Sequence, residues 1–350
     1  MSYTFSSLAD LRSEAFGSII DVRSPAEFQE DHVPGAISLP VLSDEERARV
    51  GTIYKQVNPF SARKLGAALV AKNSARHLEG PLSENQGDWR PLVYCWRGGQ
   101  RSGSFAAILQ QIGWRVSVLN GGYQSYRRSV VKSLYDDDVE TPVVLLDGNT
   151  GTGKTEVLHK LAALGHQVID LEGLANHRGS VLGGMGKQPS QKSFETELYK
   201  AVSSLDSTRP VLIEAESSRI GSINLPPKLF NAMKAAPRIT LHAPIEARAK
   251  LLSRIYAAEG VDTEILDECL ERLVTLRGRA QVAEWKLLLA EQKYEELASS
   301  LITLHYDPRY TKGREKRDVC NLGVVVSEQL AEADLAQIAD QIERLLAKDY

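Results

Sequence analysis

Short apolar runs alternate with helical patterns along the first part of the chain. Strands are predicted at Ser18–Arg23, just after the turn at His32–Ile37, at Pro91–Cys95 and at Val116–Leu119. Helices are predicted at Asn58–Leu78, at Phe105–Ile112 and from Gly121 to about Leu134. Strands that alternate with helices indicate an α/β domain with a parallel sheet. In such sheets the chemistry lies beyond the carboxyl ends of the strands.

The second part of the chain repeats this alternation and adds a long helical stretch. Strands are predicted at Val143–Asp147, His166–Asp170, Pro210–Glu214, Arg238–His242 and Leu301–His305. Helices are predicted at Glu156–Leu164, through most of Pro244–Ala298 and at Gln329–Leu346. The pattern predicts a second α/β domain with a helical insertion at about 244–298.

An acidic segment that ends in proline, Tyr135–Pro142, separates the two patterns. Such a segment is typical of a domain boundary. We therefore predict one domain at 1–135, a linker at 136–142 and a second domain at 143–350. A length of 350 residues supports two cores of ordinary size.

Composition excludes several classes of protein. Hydrophobic residues make up 43% and charged residues 25%, which are values of a globular protein. No apolar run approaches the roughly 18 residues that span a bilayer, and the N-terminus lacks a signal-peptide pattern, so we expect a cytoplasmic protein that does not contact membranes. Three widely spaced cysteines argue against a disulfide framework and a zinc site. The net charge of −3 leaves nucleic-acid binding open, because a local basic patch is sufficient.

Cys95 follows a predicted buried strand and opens a glycine-containing loop before a helix. Unpaired N–H groups of the first helical turn, with Arg97 and Arg101, would stabilise a thiolate, which is the nucleophilic form. The same groups would stabilise a bound oxyanion. The alternative is a buried structural cysteine. Two arginines and two glycines within the next six residues favour the reactive role.

Several separated motifs give most of residues 5–135 a resemblance to the rhodanese family. They occur in the family's order: Asp21-Val22-Arg23, Glu27-Phe28, His32-Val33-Pro34-Gly35-Ala36, the Cys95 loop and Gly121-Gly122. The resemblance implies that Cys95 carries a chalcogen atom. We expect Asp21 and Arg23 to form a structural ion pair and His32 to stabilise its own turn.

The Cys95 loop departs from that of single-domain sulfurtransferases. Five residues separate Cys95 from Arg101, one more than usual, and this Cx5R spacing resembles the phosphate loop of cysteine-based phosphatases. Either Cys95 attacks phosphorus, or it receives a chalcogen from a donor that carries phosphate. Tyr94 stands where the phosphatases have histidine, and no aspartic acid suited to acid catalysis is evident nearby. Chalcogen transfer is therefore favoured.

A P-loop motif, GxxxxGK[ST], follows the strand at Val143–Asp147 and precedes a predicted helix. Backbone N–H groups of such a loop bind a diphosphate, the lysine adds a charge and the threonine hydroxyl faces a metal ion, here a candidate Mg²⁺ site. The predicted phosphate-binding residues are Gly148, Asn149, Thr150, Gly151, Thr152, Gly153, Lys154 and Thr155, and the predicted metal contact is Thr155.

Carboxylates and a donor-rich loop follow the P-loop. Glu214 ends an apolar strand and is a candidate for binding the water shell of Mg²⁺ or for orienting an attacking group, with Glu216 and Asp170 as rivals. Each carboxylate could equally be a helix cap or a surface residue. The loop at 170–187 contains His177 and Arg178 among glycines, and it is either a substrate loop or an exposed connection.

Basic residues are candidates for contacts with RNA. In the helical stretch most arginines, including Arg248, are interspersed with acidic residues, which predicts a solvated, salt-bridged face. Two locally unbalanced segments are the exceptions, and an ordinary surface loop is the alternative for the second. The predicted RNA contacts are Arg277 and Arg279 in the first segment, and Arg309, Tyr310, Lys312 and Arg314 in the second.

The rhodanese-like and P-loop patterns in this order resemble the bacterial tRNA 2-selenouridine synthase family over the whole chain. The resemblance includes Asp170-Leu171-Glu172 and Asn176-His177-Arg178-Gly179-Ser180. It implies replacement of sulfur by selenium in 2-thiouridine at the wobble position of the tRNA anticodon loop, with selenophosphate as donor. It also implies geranyl transfer from geranyl diphosphate to that sulfur.

The same resemblance suggests a division of roles. Cys95 would take selenium as a selenopersulfide or otherwise assist its delivery, Arg97 and Arg101 would hold the phosphate, and the P-loop would hold the diphosphate of the geranyl donor. No tightly bound cofactor is expected beyond a possible Mg²⁺, and an enzyme that supplies selenophosphate is a possible partner. The oligomeric state and the P-loop ligand stay open. The alternative is a P-loop kinase or NTPase with a regulatory rhodanese or phosphatase-like domain.

Overall fold

The structure is a computed structural model that describes residues 1–13, 16–178, 186–257, 263–309 and 320–349. The chain forms two compact units. The first unit comprises residues 1–136 and 189–203, and the second comprises residues 137–188 and 204–350. No helix of the described residues is long and apolar enough to cross a membrane.

The first unit is built on a five-stranded parallel sheet with the strand order β1-β5-β4-β2-β3. Its central strand, β4, is buried along its whole length and ends directly before Cys95. The strands are β1 (Ser2–Tyr3), β2 (Ser18–Asp21), β3 (Ala36–Ser38), β4 (Pro91–Tyr94) and β5 (Ser117–Leu119). The predicted rhodanese-like α/β fold of this part is confirmed.

Capping side chains define where several helices of the first unit begin. The Glu27 carboxylate accepts a hydrogen bond of 3.1 Å from the Ser24 N–H at the start of the second helix, and the Asn58 side chain accepts a hydrogen bond from the Ser61 N–H ahead of the long fourth helix. The helices are α1 (Leu8–Ser13), α2 (Pro25–Glu30), α3 (Asp44–Gln56), α4 (Pro59–Glu79), α5 (Gln100–Ile112) and α6 (Gly122–Val131), which continues as a π-helical turn at Lys132–Asp136.

The second unit contains another five-stranded parallel sheet, with the strand order β12-β11-β6-β8-β7. The same unit also contains a short antiparallel hairpin, which β9 and β10 form. The strands are β6 (Val143–Gly148), β7 (Gln167–Ile169), β8 (Val211–Glu214), β9 (Arg219–Ile220), β10 (Ile223–Asn224), β11 (Arg238–His242) and β12 (Asn321–Val326). This arrangement confirms the predicted P-loop-like α/β fold.

Among the residues that the structure describes, hydrophobic cores of the second unit lie on the sheet and inside the helical segment around Trp285. The described part of Pro244–Ala298 is largely helical. The helices are α7 (Lys154–Ala163), α8 (Leu171–Leu174), α10 (Pro227–Ala235), α11 (Ile245–Tyr256), α12 (Thr263–Glu271), α13 (Val274–Arg277), α14 (Arg279–Ala290), α15 (Tyr294–Leu301), a π-helical turn at Ile302–Tyr306 and α16 (Glu332–Asp349).

The strand predicted at Leu301–His305 is wrong, because α15 runs directly into the π-helical turn there. Leu301, Ile302 and His305 are fully buried in the helical core, which is a helical spacing and not the alternation of a strand. A short apolar run does not distinguish a strand from a buried helix by periodicity alone. The strand at this edge of the sheet, next to β11, is β12, which the sequence pattern did not reveal.

One helix from the second half of the sequence, α9 (Gln191–Ser203), belongs to the first unit. Its Glu195 forms a buried ion pair with Arg127 of α6. Its Thr196 hydroxyl donates a hydrogen bond of 3.0 Å to Asp31. The predicted division into 1–135 and 143–350 has no place for a segment that returns to the first unit. That division stays a prediction.

Candidate functional site

The Cys95 sulfur lies where β4 ends and α5 begins, and it is 3% exposed. It accepts hydrogen bonds from the Gly99 N–H at 3.2 Å and from the Ser102 hydroxyl at 3.1 Å. Both donors come from the N-terminal turn of α5, and the Ser102 hydroxyl also contacts the Gly99 carbonyl at 3.2 Å. Burial alone would suit a structural cysteine, but the two donors give this sulfur the surroundings of a nucleophile.

The loop after Cys95 depends on glycine at two positions. Gly98 has φ of +67°, a conformation that side chains disfavour. A Cβ atom at Gly122 would lie 2.2 Å from the Cys95 carbonyl oxygen, so a larger residue would displace the loop. The Tyr123 N–H donates to the same carbonyl at 2.8 Å, which holds the loop against the start of α6.

The two loop arginines have different partners. Arg101 forms an ion pair with Glu27, with N–O distances of 2.7 and 3.3 Å, whereas exposed Arg97 donates one bond of 3.2 Å to Gln124. In a Cx5R phosphatase the arginine would serve the bound phosphate, and here a carboxylate neutralises it. Arg97 is thus the more accessible of the two cations, and the phosphate-holding role of Arg101 stays a prediction.

Asp21 and Arg23 form the buried structural ion pair that the sequence predicts. The Arg23 guanidinium also donates to the Asp31 carbonyl at 2.6 Å and lies 4.0 Å from the centre of the Tyr123 ring. The His32 ring contacts the Phe28 carbonyl at 3.0 Å, within its own turn. These contacts agree with the structural roles predicted for the three side chains.

A cavity of about 280 Å³ lies beside the Cys95 loop and is bounded by α3, α4 and α5. Its walls are largely apolar, and its polar edge includes Arg101 and Gln100. The remaining lining residues are Leu42, Val50, Tyr54, Ala62, Arg63, Gly66, Ala67, Val70 and Ser104. The cavity could bind an apolar chain that ends near the loop.

The predicted phosphate-binding residues form the loop between β6 and α7 in the second unit. Gly151 and Gly153 have φ of +85° and +77°, so glycine is required at both bends. The Lys154 ammonium donates to the Gly148 carbonyl at 3.0 Å across the loop. The loop therefore has the strand, turns and helix N-terminus that a diphosphate site needs.

Arg248 of α11 donates hydrogen bonds to a backbone carbonyl of this loop, a role that the sequence did not indicate. The side chain is 3% exposed, contrary to the solvated face predicted for it. It donates two hydrogen bonds of 2.9 and 2.8 Å to the Thr150 carbonyl, and its charge pairs with Asp307 at 2.7 Å. Asn149 also donates to Asp307, at 2.9 Å. Since the Thr150 carbonyl points to Arg248, the next N–H is directed the opposite way.

Two glutamates connect the P-loop threonine to the end of β8. The Thr155 hydroxyl donates to Glu172 at 3.0 Å, and the Glu172 N–H donates to Glu214 at 2.7 Å. The second carboxylate oxygen of Glu214 is buried and has no hydrogen-bond partner. Burial and the nearby charge of Glu216 raise the pKa of Glu172 to about 8, and burial raises that of Glu214 well above its usual value.

These carboxylates fit a cation that is also held by a phosphate ligand. No group of three or more His, Cys, Asp or Glu suited to a metal occurs among the described residues. Mg²⁺ usually binds through one or two protein oxygens together with substrate phosphates, which agrees with Thr155 and the orphaned Glu214 oxygen. Glu172 was missed as a site residue, because only the folded chain brings it to Thr155.

Asp170, His177 and Arg178 lie after β7. Asp170 accepts from the Gly173 N–H at 2.7 Å and caps α8, which is the plain alternative considered for it. Burial lowers the pKa of His177, and its Nδ1 atom is buried without a hydrogen-bond partner. Arg178 is exposed, and the glycine-rich continuation at 179–185 lies outside the described residues.

The predicted RNA contacts are only partly described. Arg277 and Arg309 both contact His305, with N–N distances of 3.3 and 3.1 Å, and Arg279 is exposed at the start of α14. The structure therefore brings two of these residues together. Tyr310, Lys312 and Arg314 fall in the segment 310–319, which lies outside the described residues.

Fold and site together define a class of protein in which a rhodanese-like unit with a cysteine loop is joined to a P-loop unit. The family described as rhodanese-like domain matches residues 4–129, and the one described as tRNA 2-selenouridine synthase AAA domain matches residues 141–268. The chain belongs to the tRNA 2-selenouridine synthase family.

Relatives with that name occur in several bacteria. The tRNA 2-selenouridine synthase of Alcanivorax borkumensis is 33% identical, over 83% of this chain and 88% of the relative. That of Nitrosomonas europaea is 36% identical, over 68% of this chain and 63% of the relative, so the chain spans just under two thirds of that protein. Among solved structures, a shikimate kinase from Bacteroides thetaiotaomicron is similar with a TM-score of 0.30 at 13% identity, over 59% of this chain and 98% of the other.

Proposed function

We propose that this protein is an enzyme that replaces the sulfur of 2-thiouridine in tRNA by selenium. The observation that carries the proposal is the Cys95 sulfur, held by two hydrogen-bond donors at a helix N-terminus, in a chain that also has a P-loop. Membership of the tRNA 2-selenouridine synthase family supports the substrate and the reaction.

Selenophosphate is the proposed selenium donor. The loop after Cys95 offers backbone N–H groups and the exposed Arg97 guanidinium to its phosphate. Cys95 assists the delivery of selenium to C2 of the base, where the selenium–carbon bond forms as the sulfur–carbon bond breaks. The phosphoryl group passes to water.

Geranylation of the sulfur is the proposed activating step. An alkylated sulfur leaves as geranyl thiol, which is a far better leaving group than sulfide. The P-loop would hold the diphosphate of geranyl diphosphate, with Lys154 stabilising the charge that develops on the departing group. Mg²⁺ at Thr155 and Glu214 would add further charge stabilisation to the diphosphate. The apolar cavity beside Arg101 suits the geranyl chain of the alkylated base.

Nucleoside mass spectrometry tests the selenium step. The variant Cys95→Ser, incubated with 2-thiouridine tRNA, geranyl diphosphate and selenophosphate, should lose selenium incorporation by at least roughly 10²-fold, since a hydroxyl does not ionise at neutral pH. Cys320→Ser is the matched control, because Cys320 is exposed and distant in sequence from both motifs. Selenium incorporation at the wild-type rate by Cys95→Ser would refute the role assigned to Cys95.

A further inference from the structure

A buried histidine in the second unit lies between two arginines. His305, in the π-helical turn, is 0% exposed. The Arg277 side chain donates to its Nδ1 atom at 3.3 Å and to its carbonyl oxygen at 3.2 Å. The Arg309 guanidinium lies 3.1 Å from its Nε2 atom. Both ring nitrogens thus face guanidinium groups.

This arrangement leaves donors without acceptors. Burial and the charges of both arginines lower the pKa of His305 to about 4, so the ring is neutral at physiological pH. A neutral imidazole has one N–H and one acceptor nitrogen, whichever tautomer forms. Only one arginine can therefore donate to the ring, and the other guanidinium faces an N–H.

The positive charges of Arg277 and Arg309 also lack, in the part of the chain that the structure describes, a carboxylate that would neutralise them. Other half-buried or buried arginines of this unit have carboxylate partners: Arg248 pairs with Asp307, and Arg238 pairs with Asp147. Within the described ranges, neither Arg277 nor Arg309 forms an ion pair with a carboxylate. Asp307, the nearest acid in sequence, already accepts hydrogen bonds from Arg248 and Asn149.

Neither arginine is fully buried. Arg309 is exposed and Arg277 is half-buried. A phosphate that contacts both guanidinium groups at their accessible edge would accept hydrogen bonds from the donors that the imidazole leaves unused and would neutralise two like charges. A phosphodiester of RNA supplies such an anion on an accessible strand, and contacts of this kind fix the position of an RNA without reading its sequence.

We propose that Arg277 and Arg309 bind one phosphate of the tRNA backbone, with His305 as the neutral spacer that holds the two guanidinium groups apart. The proposal rests on the proposed function for the identity of the RNA. It adds a binding site within the helical segment to the two sites of the reaction.

Binding of tRNA by the full-length protein, measured by fluorescence anisotropy over a range of salt concentrations, tests this site. Arg277→Gln and Arg309→Gln should each weaken binding roughly tenfold, the loss of one charge-assisted hydrogen bond. Because only one phosphate is involved, the double variant should reduce the slope of log Kd against log salt by about 1, and each single variant should reduce it by no more than that. Arg272→Gln removes an exposed arginine near Arg277 in sequence and should change neither value.

Several results would overturn the proposal. Unchanged affinity and slope in Arg309→Gln would do so, and this exposed position should leave folding intact even if Arg277→Gln does not. Loss of inorganic phosphate binding in the variants with tRNA binding unchanged would assign the site to a small anion instead. A wild-type protein that binds tRNA through these arginines but never exchanges sulfur for selenium would refute the proposed function and not this site.

Discussion

Two buried acids beside the P-loop differ in how their charge is satisfied. Asp147 pairs with Arg238 at 3.0 Å and accepts from the Gly148 N–H at 2.7 Å, which fixes the first residue of the loop. Glu214 accepts one hydrogen bond, and its other oxygen has no hydrogen-bond partner. A buried polar atom without a partner destabilises the fold, and a functional role is a common reason why such an atom is retained. A ligand or ion that contacts the second Glu214 oxygen would offset this loss of stability.

His305 predicts a pH dependence of stability that a single substitution removes. Its pKa is lowered to about 4 in the folded protein, whereas an unfolded histidine titrates near 6.5. Between these values the unfolded chain binds more protons, so stability falls as the pH decreases from about 6.5 towards 4. His305→Gln should lose this part of the dependence, on the order of 1–3 kcal/mol.

Thermal or denaturant unfolding between pH 4 and pH 7 measures the effect. His242→Gln serves as the control, because that histidine is exposed on β11 and should leave the pH profile unchanged. A His305→Gln protein with the same pH profile as the wild type would show that His305 is protonated normally in the folded state.

At the scale of elements, three helices of the first unit shape the cavity next to Cys95. α3 and α4 are consecutive helices, and α5 begins inside the loop that follows Cys95. The cavity therefore adjoins the loop through residues of α5 itself, Gln100 and Arg101. This position relative to the loop is the reason why we propose the cavity for the geranyl chain of a modified base.

Filling the cavity from α4 should impair the use of geranylated RNA. Ala67 lines the cavity, and Ala67→Phe would occupy the volume that the chain needs. We expect roughly tenfold weaker binding of S-geranyl-2-thiouridine RNA, with less effect on 2-thiouridine RNA, since burying apolar area contributes ~25 cal/mol per Å². Kd values for both RNAs measure this. Ala68→Phe adds the same ring to the neighbouring exposed position, and an equal loss in both variants would contradict the assignment.

At the scale of the molecule, the two candidate sites belong to different units of the chain. Cys95 and its donors lie in the first unit, whereas the P-loop, Thr155 and Glu214 lie in the second. α9 leaves the second unit in sequence and packs in the first through Glu195. The chain thus crosses between the units more often than a linear order of two domains requires.

Substitutions in the two candidate sites should impair different steps of the reaction. Lys154→Ala should reduce geranyl transfer to 2-thiouridine RNA by roughly 10²-fold, because a charge that stabilises the leaving diphosphate is lost. The same variant should still convert RNA that already carries the geranyl group. Cys95→Ser should show the reverse pattern and accumulate the geranylated base. Turnover of ATP that Lys154→Ala abolishes, with geranyl transfer unaffected, would instead favour the P-loop kinase or NTPase interpretation.

The sequence by itself determined the two α/β folds, the Cys95 loop and the P-loop, because these depend on residues close together in the chain. Strand patterns, glycines and helix starts are local signals, and the family could be recognised from their order. The P-loop also required a particular strand and helix on either side, and both were visible in sequence.

Only the tertiary structure decided what surrounds these motifs. It paired Arg101 with Glu27, brought Arg248 to the Thr150 carbonyl, joined Glu172 to Thr155 and returned α9 to the first unit. It also made a buried π-helical turn of Leu301–His305, where the apolar run had predicted a strand. The first four depend on contacts between residues far apart in the chain, which leave no local pattern. In the last, a short apolar run did not distinguish a strand from a buried helix.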